Sequence, residues 1–210
     1  NVDPWLRIIS IEKVSGESAL IFNYAAHATC LSYHFSDLSG DYPAKAIVNL
    51  EKQGTADFVA YMAGAVGSMS SEAPGLRGFE KVDFVAGQLT EVISATVPAI
   101  EKRPLQEVTF NDFSFYPGDP QFKITKDLRL REWAFNQAFG RHEMEITSMK
   151  IGNLLLVGVP CDFSGELVEP LEKHAANNGF ELIITRFNGG YAGYVTKTNG
   201  MISINMKPER

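Results

Sequence analysis

The chain has 210 residues, a mass of 23.2 kDa and a net charge of −6 from 19 basic and 25 acidic side chains, enough to bury the core of one domain. Its 45% hydrophobic and 21% charged residues are the composition of an ordinary globular protein, and the acidic balance, with no long Lys or Arg run, argues against a nucleic-acid footprint or a basic membrane patch. No stretch approaches the roughly 18 apolar residues of a transmembrane helix.

Asn1-Val-Asp-Pro4 leads almost directly into a strand-like run, which reads as a start in mid-fold. Residues 6–14 and 18–25 are predicted strands, rich in Ile, Val, Phe and Tyr, joined by a turn at Ser15-Gly16. A helix follows at Ser39-Gly-Asp-Tyr-Pro43, with Asp41 as N-cap, Pro43 in the first turn and Gly54 at its end. Residues 57–62 read as a short buried strand feeding a small-residue loop, Gly64 to Ser71. Val82, Val85, Ala86, Leu89, Val92 and Ile93 keep helical spacing over residues 79–95.

Residues 107–116 are a predicted strand, Pro117-Gly-Asp-Pro120 a turn cluster and residues 126–139 a helix. Strands at 145–150 and 154–159 turn at Gly152-Asn153, and residues 163–176 are expected to be helical until Asn177-Asn-Gly179 stops them. Residues 180–185 make a last strand before a glycine-rich loop, Asn188 to Gly193. Interleaved strands and helices, with hairpins among the strands, predict the α/β class: a mixed β-sheet core flanked by helices in a single domain over residues 1–210. No internal repeat or linker interrupts it.

Four segments carry reactive side chains where strands give way to loops. His27 follows a strand between the small residues Ala26 and Ala28; it is either a satisfied structural histidine or a metal ligand, imidazole being the commonest protein ligand. Ser68, Ser70 and Ser71 lie in the small-residue loop, a flexible turn or the seat of an activated serine. Cys161 and Asp162 end the apolar strand 154–159, as packing and a helix cap or as chemistry. Tyr191 and Tyr194 bracket the last glycine-rich loop, beneath which either can pack.

Taken in order, these segments resemble the neutral/alkaline ceramidase family, hydrolases of the ceramide amide. Asn23-Tyr-Ala-Ala-His27-Ala-Thr29 is similar to the family's Asn-x-x-x-His-x-Thr, and Ser39-Gly-Asp41 to a Ser-x-Asp step before a helix. Gly67-Ser-Met-Ser70-Ser71 lies where the family has Gly-Asp-Val-Ser-Pro-Asn; Pro160-Cys-Asp162-Phe163 stands for Pro-Gly-Glu-Phe, and Tyr191-Ala-Gly-Tyr194-Val-Thr196 for Tyr-x-x-Tyr-Val-Thr. Residues 201–210 resemble nothing in the family.

The resemblance implies a zinc-dependent amidohydrolase acting on ceramide or a related lipid amide, with Ser70 as nucleophile, Tyr194 as a second catalytic group, and His27, Asp162 and Tyr194 as zinc ligands. It further implies that the chain belongs to a larger N-terminal catalytic domain, that an upstream segment of the same protein adds another His, and that the protein is secreted or periplasmic. A lipid substrate leaves peripheral membrane contact open. Backbone N–H groups of Gly64 to Gly67 are expected to serve a developing oxyanion. Cys30 and Cys161 are expected near one another as free thiols. The alternatives are a cysteine hydrolase using Cys161 with His27 as base, and a non-catalytic relative that binds lipid or sugar.

Overall fold

The structure, a computed structural model, describes residues 3–105, 107–116, 131–139, 143–186, 188–198 and 201–205. The predicted turn at 117–120 and the start of the predicted helix at 126 lie outside these residues, as does His142. The chain divides into two compact units, residues 4–105 and residues 1–3 with 106–210, each taken here by itself.

In the first unit, β1 (Leu6–Glu12) and β2 (Ser18–Tyr24) form the expected hairpin, with Gly16 at φ +93° in its turn. α1 (Asp41–Lys52) carries the chain over to β3 (Phe58–Ala63), which pairs parallel to β2. The pleat puts alternate residues on one face, so Ile8, Phe22 and Tyr61 stand in one cross-strand row. Phe22 and Tyr61 meet with ring centroids 5.3 Å apart.

Against that face pack Tyr42, Ala46 and Leu50 of α1, four residues apart and fully buried. Val82, Val85, Ala86, Leu89 and Ile93 of α2 (Gly78–Thr96) complete the core. Burying a side chain such as Leu20, Phe22 or Leu50 is worth about 1.5–3 kcal/mol, so this face holds the unit together.

The ends of α1 differ from each other. At its C-terminus Gly54, at φ +70°, donates to the Glu51 carbonyl while the Thr55 N–H reaches back to Leu50, the paired bonds of a Schellman stop. At its N-terminus Asp41 is not the cap but the first helical residue, with Gly40 as cap and Asp41 itself at φ +53°. Its carboxylate is drawn off by the Leu31 N–H, a tie that local sequence does not announce.

In the second unit β4 (Val108–Phe115), β5 (Met144–Ile151) and β6 (Leu154–Val159) form an antiparallel meander. α4 (Val168–Asn177) then leads to β8 (Glu181–Arg186), parallel to β6. α3 (Glu132–Phe139) precedes β5. A small sheet is made of β7 (Asp162–Phe163), β9 (Tyr194–Thr198) and β10 (Met201–Asn205).

The expectation of one helix over 163–176 is therefore corrected. Phe163 sits in β7 opposite Val195, a 3-10 turn spans Gly165–Leu167, and the α-helix starts only at Val168. The backbone bond from Ser164 N–H to the Val195 carbonyl outcompetes a local helical bond there. Residues 201–205, unlike anything in the resembled family, pair as a strand with β9. Both units are mixed sheets with helices, so the architecture is α/β as predicted.

Candidate functional site

Each unit repeats one device. Two chain segments leave the carboxyl ends of neighbouring parallel strands and stay hydrogen-bonded beyond the sheet, the position at which α/β folds gather ligands.

In the first unit the segment after β2 is laced to the segment after β3. Gly64 N–H donates to the Tyr24 carbonyl (3.0 Å) and His27 N–H to the Met69 carbonyl (3.1 Å). His27 and Ser70 face each other as an isolated parallel bridge. Two residues expected from sequence to share a site are thus adjacent in the backbone. His27 is partly buried and Ser70 exposed. The N–H groups of Gly64 and Val66 are engaged by the carbonyls of Tyr24 and Gly64, so these two are not oxyanion donors, contrary to expectation.

The arc around His27 is held by Tyr42, which sequence reasoning did not single out, and flanked by Cys30 and Ser71. Tyr42, fully buried, donates its hydroxyl to the Ala26 carbonyl at 2.6 Å. Burial drives the Tyr42 phenol far above its usual pKa, so it keeps its proton and remains a donor. The Cys30 sulfur lies 3.1 Å from the Ser71 hydroxyl. Burial first, and then the Asp41 carboxylate, push the Cys30 thiol up despite the bond to Ser71.

In the second unit the segment after β6 is laced to the loop after β8. Ala192 N–H donates to Pro160, Asp162 N–H to Gly193 (2.8 Å) and Ser164 N–H to Val195. Asp162 and Tyr194 are direct partners in the parallel register, so this second expected pair is adjacent too.

The Asp162 carboxylate is 2% exposed. One oxygen accepts the Tyr191 hydroxyl at 2.9 Å, and the other is ion-paired with the guanidinium of Arg186, itself almost wholly buried. Asp162 is a strand residue, so its reading as a helix cap is also set aside. Arg186 was missed because it ends β8 and a charged strand end ordinarily faces solvent. Its register opposite Val159 of β6 is what turns it towards Cys161 and Asp162.

Both cysteines are free and buried. Burial pushes the Cys161 thiol up to about 11 against the pull of the Arg186 charge, which leaves little thiolate at neutral pH and disfavours Cys161 as a nucleophile.

Zinc, the metal that the resemblance implies, fits these residues unevenly. His27, between small neighbours, suits a ligand. Asp162 as placed does not, because both its oxygens are taken and a guanidinium already balances its charge. Among the described residues no three His, Cys, Asp or Glu side chains gather as a metal cluster. Among the same residues, no helix is long and apolar enough to cross a membrane.

The chain matches no protein-family model and no curated protein. Among solved structures it is similar to the neutral ceramidase of Pseudomonas aeruginosa, with a TM-score of 0.70 and 14% identity over 93% of this chain and 41% of that one. It is similar also to a structure of a ceramidase complexed with C2, with a TM-score of 0.70 and 14% identity over 92% and 42% of the two chains. The chain thus spans about two fifths of the length of these structures. At this identity the likeness establishes a shared fold.

Proposed function

We propose that this chain is part of a hydrolase that cleaves the N-acyl amide of ceramide or a related lipid amide, with Ser70 as nucleophile. The observation that carries the proposal is the pairing of His27 with Ser70 beyond the parallel strands β2 and β3, in a chain whose fold is that of neutral ceramidase.

The Ser70 hydroxyl would attack the amide carbon, releasing the amine and leaving an acyl ester on Ser70 that water then hydrolyses. His27 is the backbone partner of Ser70 across the bridge. Tyr194 is proposed as a second catalytic hydroxyl. Zinc is proposed as the cofactor and His27 as its ligand in the first unit; Asp162 and Tyr194, the other ligands that the resemblance implies, lie in the second unit, where Arg186 already holds Asp162. When bound, zinc would polarise the carbonyl and lower the pKa of the attacking hydroxyl. A secreted or periplasmic location, contact with a lipid surface and a further His from elsewhere in the protein belong to the same proposal.

The test is hydrolysis of N-acylsphingosine by the whole protein that carries this chain. Ser70→Ala is expected to lower kcat by roughly a thousandfold or more, and a variant retaining wild-type kcat/KM would refute the assignment. Zinc is measured on the same samples. The metal assignment fails if wild type and His27→Ala carry equal, substoichiometric zinc.

One observation favours a second reading, a relative that keeps the scaffold and has lost catalysis: the Asp162–Arg186 pair takes up a carboxylate that the metal would need. Binding of N-acylsphingosine without turnover by the wild-type protein would establish it.

A further inference from the structure

We infer that Asp41 and Tyr42, the first two residues of α1, are positioning residues that grip the His27 arc from both ends. The functional weight of this inference rests on the reading of His27 and Ser70 given above.

The arc comprises residues 25–31. A strand-to-loop segment of this kind ordinarily moves more than the sheet that it leaves. Here the peptide unit between Ala26 and His27 is held on both sides. Its carbonyl accepts the Tyr42 hydroxyl at 2.6 Å, and its N–H donates to the Met69 carbonyl at 3.1 Å. A peptide plane fixed at both polar atoms fixes the position of the His27 Cα, and the His27 carbonyl, accepting the Thr29 N–H at 2.9 Å, limits rotation on its other side. Five residues on, Leu31 N–H donates to one oxygen of Asp41 at 2.9 Å, and the other oxygen accepts the Tyr42 N–H at 2.7 Å.

The geometry around the two grips fits this role better than simple packing. A phenylalanine would fill the Tyr42 site equally well, so packing does not call for a hydroxyl there. The ring is set edge-on between Tyr24 and Tyr61, with centroids 6.3 and 6.2 Å away. The Tyr61 hydroxyl stands 3.2 Å from both the Tyr42 hydroxyl and the Tyr24 carbonyl. Asp41 holds a positive φ of 53° although it has a Cβ, a conformation that persists only where surrounding contacts enforce it. Its buried carboxylate, with two backbone N–H groups on it, and the Ser39 hydroxyl that accepts the Asp41 N–H supply those contacts.

Tyr42→Phe in the whole protein tests the first grip, read by amide hydrogen exchange and by N-acylsphingosine hydrolysis. The His27 amide should exchange about tenfold faster while amides of β2 and α2 keep their rates. A kcat lower by about tenfold or more, with KM within about twofold, should accompany it, since displacing a reacting group by about 1 Å costs on the order of a hundredfold. Asp41→Asn tests the second grip through faster exchange of the Leu31 amide.

Unchanged exchange at His27 overturns the inference, and so does acceleration spread evenly over the unit, which would mark Tyr42 as a core residue only. Faster His27 exchange with unaltered kcat overturns it as well. A wild-type protein that hydrolyses no N-acyl amide refutes the functional reading instead, and the exchange rates still decide whether the grips exist.

Discussion

Replacing Asp162 by Asn would leave the Arg186 guanidinium buried beside a neutral amide. Removing one partner of a buried pair costs about 3–5 kcal/mol, because the other charge is left uncompensated. Asp162→Asn should therefore lower unfolding stability in urea by that amount, and a loss under about 1 kcal/mol would show that the pair is not desolvated. At this scale the sequence was informative about which residues lie together and less so about what they do. His27 with Ser70, and Asp162 with Tyr194, were legible through the ordered motifs that resemble the ceramidase family, each lying where a strand gives way to a loop. Arg186 was not, since its partner Asp162 is set by the parallel register of β6 and β8 rather than by anything near it in sequence. Tyr42 was hidden for a related reason: an apolar helix face predicts its burial, whereas its hydroxyl bond depends on where β2 ends.

Gly158 shows how tightly an element can be specified. A Cβ there would lie 2.6 Å from the Thr147 hydroxyl and 2.7 Å from the Asn188 side-chain carbon. Asn188 occupies that space to donate to the carbonyls of Thr185 and Arg186, closing the end of β8. Gly158→Ala should destabilise the protein by about 1–3 kcal/mol, as overpacking does, and a denaturation midpoint matching wild type would count against this crossing. Strands and hairpins were largely readable, because alternation and turn residues such as Gly16 and Gly152 are local signals. The segment after Asp162 was not. Phe163 and Ser164 have a helical neighbourhood in sequence, but β9 captures their backbone groups, and β9 itself follows a loop whose glycines hide the strand.

At the scale of the molecule the two units answer alkaline pH in the same way. Cys161 in one and Tyr42 in the other both have folded pKa values raised by burial. Above the ordinary value of each group the unfolded chain ionises while the folded one stays neutral, so the unfolded state gains. For Cys161 that stability is intact below pH 9.0 and is lost as pH rises towards about 11. Urea midpoints should fall steadily across this window, and a flat profile would show that these groups are solvated. The α/β class was visible in the order of elements, whereas the repeated lacing beyond each parallel pair was not, because it consists of backbone bonds between distant segments. That lacing also sets where the chain is at liberty to change. The arc carrying His27 is fastened at Ala26 and again at Leu31, and residues 32–38 lie outside the fastening, with Tyr33 and Leu38 projecting into solvent. Substitution or a change of length in 32–38 can therefore accumulate during divergence without disturbing the histidine, which makes this stretch the natural place for related proteins to differ in what they accept.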